Sequence, residues 1–323
     1  MIEYKAADIF NTVTCSGGCE IGPRPIDLHL KALRKMGATI HDVQRGLIYC
    51  EVDKLKGCDI QLDYPSVGAT ENIMLAAVFA DGDTYIRNAA KEPEIIDLQN
   101  YLAGMGVDIS GAGTSAIRIR GKDYKLKNIE HSVISDRIVA GTYMVASAIT
   151  GGDMYLKNVI PEHIGSVIAN LRDAGCRINV KKNSIHISGP ARPKAIDIIR
   201  TLPYPGFPTD MQAQMVSLFT IARGTSIIVE TVFESRYKHV DELIRMGADI
   251  KLEGRIAVIK GVKRLAGASV YARDLRGGAA LVLAGLIAEG ETLIGGTNYI
   301  DRGYENLEGK LAQAGALIRR IEG

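Results

Sequence analysis

The sequence predicts an α/β protein of two domains assembled from repeated units, and three observations carry that expectation. The chain has 323 residues, roughly two domains' worth. Variants of Leu-x-x-Met-Gly-Ala, each ending a helical pattern and opening a strand, recur at Gly37, Gly106, Gly175, Gly247 and Gly315, at intervals of 69, 69, 72 and 68 residues. A second motif interleaves with the first. It is an apolar helix of small residues, then Gly, then a short strand, at Gly82, Gly152, Gly224 and Gly290.

Each unit therefore reads helix–strand–helix–strand–strand over about 70 residues. The glycines of the first motif suit a helix end that turns left-handed before a strand. The helices of the second are apolar almost all round and are expected to be buried. Four complete units run from about Pro65 to the C-terminus. Before them, Arg24 to Lys56 supplies only the second half of a unit. Met1 to Thr14 does not look like the missing first half, so the chain is expected to start mid-repeat, with a strand edge uncovered.

Composition narrows the function. Hydrophobic residues make up 46% and charged residues 24%, the balance of a globular protein. A net charge of +2 gives no electrostatic case for nucleic acid or a membrane surface, so any anion site must be built locally from a few placed Arg or Lys. The five cysteines are odd in number and irregular in spacing, which argues against disulfides and zinc and favours a reducing, cytoplasmic setting. No signal peptide is legible at the start. The uncharged run Ile138 to Gly152 is 15 residues, too short to span a bilayer.

The repeat provides an internal control: a position that structure alone requires should look alike in every unit. Thirteen residues before the first-motif glycine, at the turn into the second helix, stand Arg24, Pro93, Glu162 and Arg302, with Arg236 close to the corresponding turn. Arginine there forgoes the usual acidic preference of a helix N-terminus and suits a phosphate or carboxylate clamp, against the alternative of a solvated surface side chain. Sixteen residues before the second-motif glycine stand Ser66, Asp136 and Asp274, read as N-caps. In the remaining unit that register holds Pro208. Thr209 is free to cap, and Asp210 follows as a working carboxylate, with an exposed first-turn Asp as the alternative. Finally, Ser16–Pro25 (SGGCEIGPRP) is a Gly- and Pro-rich loop in which Cys19 lies five residues before Arg24, a setting that lowers a thiol pKa.

Six ordered segments carry a resemblance: GGCEIGPRPIDLHLKALRKMGA, PSVGATENIMLAA, NAAKEPEIIDL, PGFPTDMQAQ, DLRGGAALVLAGL and IDRGYENLEGKL. They resemble the UDP-N-acetylglucosamine 1-carboxyvinyltransferase family of enolpyruvyl transferases, from Ser16 to the C-terminus. The resemblance implies βαβαββ-type units forming two inside-out α/β barrel domains that close over substrates: residues 1–134 an incomplete first domain carrying the loop 15–25, and 135–323 the second. It implies transfer of the enolpyruvyl group of phosphoenolpyruvate to the 3-hydroxyl of UDP-N-acetylglucosamine in peptidoglycan precursor synthesis, with no metal or organic cofactor. Cys19 matches the proton donor and Asp210 the base. Arg24 and Arg302 match phosphate-binding arginines, and Asp274 and Arg276 lie in the matching Asp-Leu-Arg segment. Arg24, Pro25, Ile26, Asp27 and Leu28, with Ser66, Val67 and Val232, match positions lining the sugar-nucleotide site. Tyr64 stands where some members have Lys. A family Lys-Asn pair and a further Arg have no counterpart, so the resemblance implies a chain lacking an N-terminal segment, with a place for a partner chain that supplies the missing unit. The alternatives are a non-catalytic homologue that binds sugar nucleotide or assembles with a partner, and the related shikimate-pathway transferase, against which the Cys19 loop argues.

Overall fold

The computed structural model describes residues 11–14, 26–43 and 47–321. The chain divides into two compact units, one holding residues 26–134 with the strand 11–14, the other residues 135–321. Each unit has an apolar core of its own. Cys19, Arg24 and Pro25 lie outside the described residues.

In the first unit the elements are β1 (Asn11–Thr14), α1 (Asp27–Lys35), β2 (Thr39–Val43), β3 (Leu47–Glu51), β4 (Asp59–Gln61), α2 (Val67–Ala77), β5 (Gly82–Arg87), α3 (Pro93–Gly104), β6 (Ile109–Ser110) and β7 (Ala116–Gly121). From β4 to β7 they form one βαβαββ unit with sheet order β4-β5-β7-β6. The β4–β5 pair is parallel, because a helix crosses between the strands, and the other pairs are antiparallel. The β2–β3 hairpin makes a second sheet of order β1-β3-β2. Here the structure adds one element that the sequence pattern did not show. Asn11–Thr14 is a strand, antiparallel to β3 with Asn11 opposite Cys50, in the place that β5 takes beside β7. Three consecutive β-branched residues, Thr12-Val13-Thr14, favour extended backbone. Four residues are too few to show the periodicity by which the other units were read.

The second unit contains α4 (Arg137–Thr150), β8 (Asp153–Lys157), α5 (Gly165–Asp173), β9 (Arg177–Lys181) and β10 (Ser184–Ser188). It continues with β11 (Ile198–Arg200), α6 (Gln212–Phe219), β12 (Thr225–Val229), α7 (Val240–Arg245), β13 (Asp249–Glu253) and β14 (Ile256–Lys260). It ends with β15 (Ser269–Tyr271), α8 (Leu275–Gly285), β16 (Leu293–Gly295), α9 (Thr297–Asp301) and α10 (Leu307–Gln313). Its sheets have the orders β8-β10-β9, β11-β12-β14-β13 and β15-β16. The three second-motif helices α4, α6 and α8 pack against one another, and every residue of α6 is buried. Helices are thus inside and sheets outside, in the inverted sense expected. The three sheets stay separate, and no closed barrel of strands forms among the described residues.

Helices this apolar still carry polar side chains, and some of these tie the helices together. The Thr142 hydroxyl lies 2.9 Å from the Tyr304 hydroxyl, and Gln214 Nε2 donates to Thr142 Oγ1 at 3.0 Å. Ser217 Oγ donates to the Ala280 carbonyl at 2.7 Å, binding α6 to α8. Small residues set the spacing: a methyl on Gly278 would press into Ile300 and Ala272. All five first-motif glycines take positive φ, between 93° and 101°, as helix-ending residues. In the second motif Gly82, Gly224 and Gly290 also do so, but after α4 it is Gly151, not Gly152, that turns left-handed. A further repeated glycine is visible only in the structure. Gly121, Gly189 and Gly261 each follow or end the last strand of a unit, and an added methyl would overlap the carbonyl oxygens of Ala80, Ser147 and Ala222 respectively. There the strand end passes the helix, or the turn that follows it, backbone to backbone.

Candidate active site

Within the second unit, Asp210 sits in a single 3-10 turn, Thr209–Met211, that leads into α6. Pro208 keeps the preceding backbone extended. Two arginines from other segments converge on the carboxylate. Arg236, from the segment before α7, donates from Nη2 to Asp210 Oδ1 at 2.5 Å. Arg276, at the second position of α8, brings Nε to 3.6 Å from the same oxygen. Arg236 is 3% exposed, whereas the Asp210 side chain is 43% exposed, so the carboxylate forms the open face of the cluster. Burial opposes its ionisation, but the charges of Arg236, Arg276 and Arg137 outweigh that and hold its pKa down at about 2.

The arginines are seated by aromatic rings. Arg236 lies over Phe233, 5.1 Å from the ring centroid, and Arg276 over Tyr304 at 5.4 Å. Asp274 caps α8, accepting from the amides of Arg276 at 3.1 Å and Gly277 at 2.8 Å, and so fixes the start of the turn that carries Arg276. His239 is buried beside it, and burial lowers its pKa, opposed by Asp274 and aided by Arg236. The imidazole is therefore neutral at pH 7 and adds no cation to the cluster. Among the described residues, Arg236 Nε and Arg276 Nη1 are buried donors with no hydrogen-bond acceptor. Buried guanidinium donors left open beside a carboxylate are suited to a small anion that supplies the missing acceptors.

Ser66 and Asp136 cap α2 and α4, as the repeat predicts. Thr209 does not cap. Its hydroxyl donates to Glu230 at 2.8 Å, and its oxygen accepts from Arg236 Nη1 at 2.9 Å rather than from a helix amide. Asp210, Arg276, Asp274 and Val232 belong to one neighbourhood, Val232 being tied in through its amide, 2.8 Å from Glu230 Oε1. Arg302 is exposed and caps the C-terminus of α9, one turn before α10, where a helix dipole favours a cation. Arg236 was read from sequence only as an Arg near a turn, and its grip on Asp210 was not legible because 26 residues separate them.

In the first unit, Ile26, Asp27 and Leu28 open α1, and Ser66 and Val67 open α2. The two helices pack together, with the His29 ring against Gly68 and its Nδ1 at 2.5 Å from Asn72 Nδ2. Lys31 bridges to Asp63 at 2.7 Å beside them. These five residues therefore come together at one end of a helix pair, while Tyr64 lies two residues ahead of the α2 cap and is 40% exposed. Among the described residues no three His, Cys, Asp or Glu side chains cluster as metal ligands, and no helix is long and apolar enough to cross a membrane.

Comparison with known proteins places this arrangement. The family model described as EPSP synthase (3-phosphoshikimate 1-carboxyvinyltransferase) matches residues 4–311. Two proteins of Caldanaerobacter subterraneus subsp. tengcongensis are similar at higher identity. UDP-N-acetylglucosamine 1-carboxyvinyltransferase 2 is 56% identical over 309 residues, and UDP-N-acetylglucosamine 1-carboxyvinyltransferase 1 is 58% identical over 308. The matches take in 96% and 95% of this chain and 74% of each relative. Among solved structures, the enolpyruvyl transferase NikO from Streptomyces tendae superposes with a TM-score of 0.83 at 23% identity, over 92% of this chain and 72% of that one. EPSP synthase from Acinetobacter baumannii gives 0.70 at 24% identity, over 97% and 75%.

Proposed function

We propose that this chain, which belongs to the UDP-N-acetylglucosamine 1-carboxyvinyltransferase family of enolpyruvyl transferases, moves the enolpyruvyl group of phosphoenolpyruvate onto the 3-hydroxyl of UDP-N-acetylglucosamine and releases phosphate. The reaction belongs to peptidoglycan precursor synthesis in the cytoplasm, upstream of cell-wall growth, cell shape and division. The observation that carries the reading is the single carboxylate, Asp210, held between the buried guanidinium groups of Arg236 and Arg276.

The chemistry asks for those residue types. Asp210 takes the sugar 3-hydroxyl proton as that oxygen bonds to C2 of the enolpyruvyl group, and Cys19 protonates the methylene carbon. The adduct then loses phosphate from C2 and a proton from the new methyl group, restoring the double bond. Arginine donors, Arg24 and Arg302 among them, stabilise the departing phosphate. The helix-start cluster of Ile26, Asp27, Leu28, Ser66 and Val67, with Arg24 and Pro25 before it, is assigned to the sugar nucleotide, and so is Val232. Asp274 acts by holding the Arg276 turn. Asp210 at a pKa of about 2 is a weak base before substrate arrives. A bound anion would share the Arg236 and Arg276 donors and neutralise part of their charge, raising Asp210 toward useful basicity as the site fills.

Incubating the purified chain with both substrates is expected to release phosphate and form the enolpyruvyl ether in equal amounts, read by phosphate assay and mass spectrometry. Phosphate without the ether, or neither product, would refute the assignment. The acid role of Cys19 has its own test. Burial raises the thiol pKa of Cys50 and Cys58, and that of Cys176 to about 11, so these three are poor nucleophiles at neutral pH. An epoxide phosphonate or iodoacetamide, with sugar nucleotide present, is expected to label Cys19 at least about tenfold faster than any of them. Peptide mapping that shows equal labelling would remove Cys19 from the mechanism.

A further inference from the structure

Four donors converge on the buried carboxylate of Glu230, which is 1% exposed at the end of β12. Oε1 accepts from Thr201 Oγ1 at 3.0 Å, the Val232 amide at 2.8 Å and the Phe233 amide at 3.1 Å. Oε2 accepts from Thr209 Oγ1 at 2.8 Å. Both carboxylate oxygens are thus used as acceptors, and a side-chain amide in their place would turn a hydrogen toward one of these donors. The Thr201 hydroxyl donates to Glu230 and accepts from the Thr231 amide at 2.8 Å, so it is held on both sides.

The consequence runs through Thr209. With its proton directed at Glu230, Thr209 Oγ1 can only accept on its other side, and there Arg236 Nη1 donates to it at 2.9 Å. The other terminal nitrogen of the same guanidinium is the one bound to Asp210. Nothing about Glu230 touches Asp210 directly, yet a continuous line of hydrogen bonds joins them.

We propose that Glu230 is a positioning residue: it fixes the direction of the Thr209 hydroxyl, which holds the Arg236 guanidinium in the one orientation that grips Asp210. The same carboxylate pins the Val232–Phe233 backbone, so the Phe233 ring under Arg236 is set by the same group. In a Glu230→Gln variant the Oε1 side, facing three donors, retains the amide oxygen. The NH2 then faces Thr209, whose proton loses its acceptor, and the hold on Arg236 weakens.

The proposal rests on the reaction assigned above, but its test does not need turnover. A guanidinium held at both terminal nitrogens rotates slowly about its Nε–Cζ bond, the motion that exchanges the two nitrogens. Arginine-labelled protein is expected to show separate 15Nη signals for Arg236, assigned by their loss in Arg236→Lys. Thr209→Val and Glu230→Gln are each expected to speed that rotation by at least about tenfold and merge the signals, while Thr209→Ser, which keeps the hydroxyl, leaves them separate. The double variant is expected to match Thr209→Val alone, because both changes cut one line of bonds. Separate signals in Thr209→Val, or effects that add, would overturn the proposal. If Glu230→Gln fails to fold, the Thr209 pair decides the Thr209–Arg236 link, and Glu230→Asp, which keeps the carboxylate, replaces it in the cycle. In active protein, Thr209→Val is further expected to raise KM for phosphoenolpyruvate more than it lowers kcat. Absence of phosphate release by the unmodified chain would count against the reaction, and leave the rotation result to judge the relay.

Discussion

Asp210→Asn is expected to lower the rate of phosphate release by about 10²- to 10⁴-fold, the range a positioned general base contributes. The amide matches the carboxylate in shape, so Arg236 keeps an acceptor and α6 its first turn, and the folded structure is expected to survive. What is lost is the site for the sugar proton. The pH dependence gives a second reading. The folded-state pKa of Asp210 is depressed to about 2, so the group favours the folded state above its ordinary unfolded value near 4 and loses that contribution as pH falls toward 2. Over about pH 4 to 9 the free protein therefore holds Asp210 ionised, and any acid limb of kcat/KM in that window must come from another group or from substrate. Steady-state phosphate release across that window checks both points. A variant with near-normal rate would remove Asp210 from the mechanism.

Arg236→Lys is expected to reduce kcat/KM for phosphoenolpyruvate by about 100-fold or more, although the charge is kept. The wild-type guanidinium reaches Thr209 from one nitrogen and Asp210 from the other. One ammonium on a flexible stem cannot hold both and also stack on Phe233. With the clamp slackened, the Asp210 pKa is expected to rise, visible as a shift in its carboxyl-carbon titration. Saturation kinetics measured at fixed sugar nucleotide would separate this from a folding defect, which would lower active-site concentration without changing KM. An unchanged KM and kcat would mean that Arg276 alone serves the anion.

Much of this was legible because repeated units expose their own exceptions. The three N-caps Ser66, Asp136 and Asp274 were read from a common register, and so was the oddity at Pro208 that drew attention to Asp210. What the register could not show is which side chains meet across units. Glu230 looks like any strand-end acid in the sequence, and only folding reveals that four donors surround it. Capping is the local use of a threonine, but the Thr209 oxygen accepts instead from Arg236, 27 residues away, while its proton goes to Glu230. The strand at Asn11–Thr14 was missed for the opposite reason: its pairing with β3 is long-range and its own pattern is too short.

The contacts at Gly121, Gly189 and Gly261 bear on how such a protein can change over generations. Where strand and helix meet backbone to backbone, their separation is dictated by atoms that every residue type shares. At these three positions any side chain is excluded by backbone, whereas apolar neighbours can be exchanged at lower cost so long as volume is kept. A lineage can then exchange the side chains lining a cleft and acquire another acceptor for its enolpyruvyl group, with little disturbance to the frame.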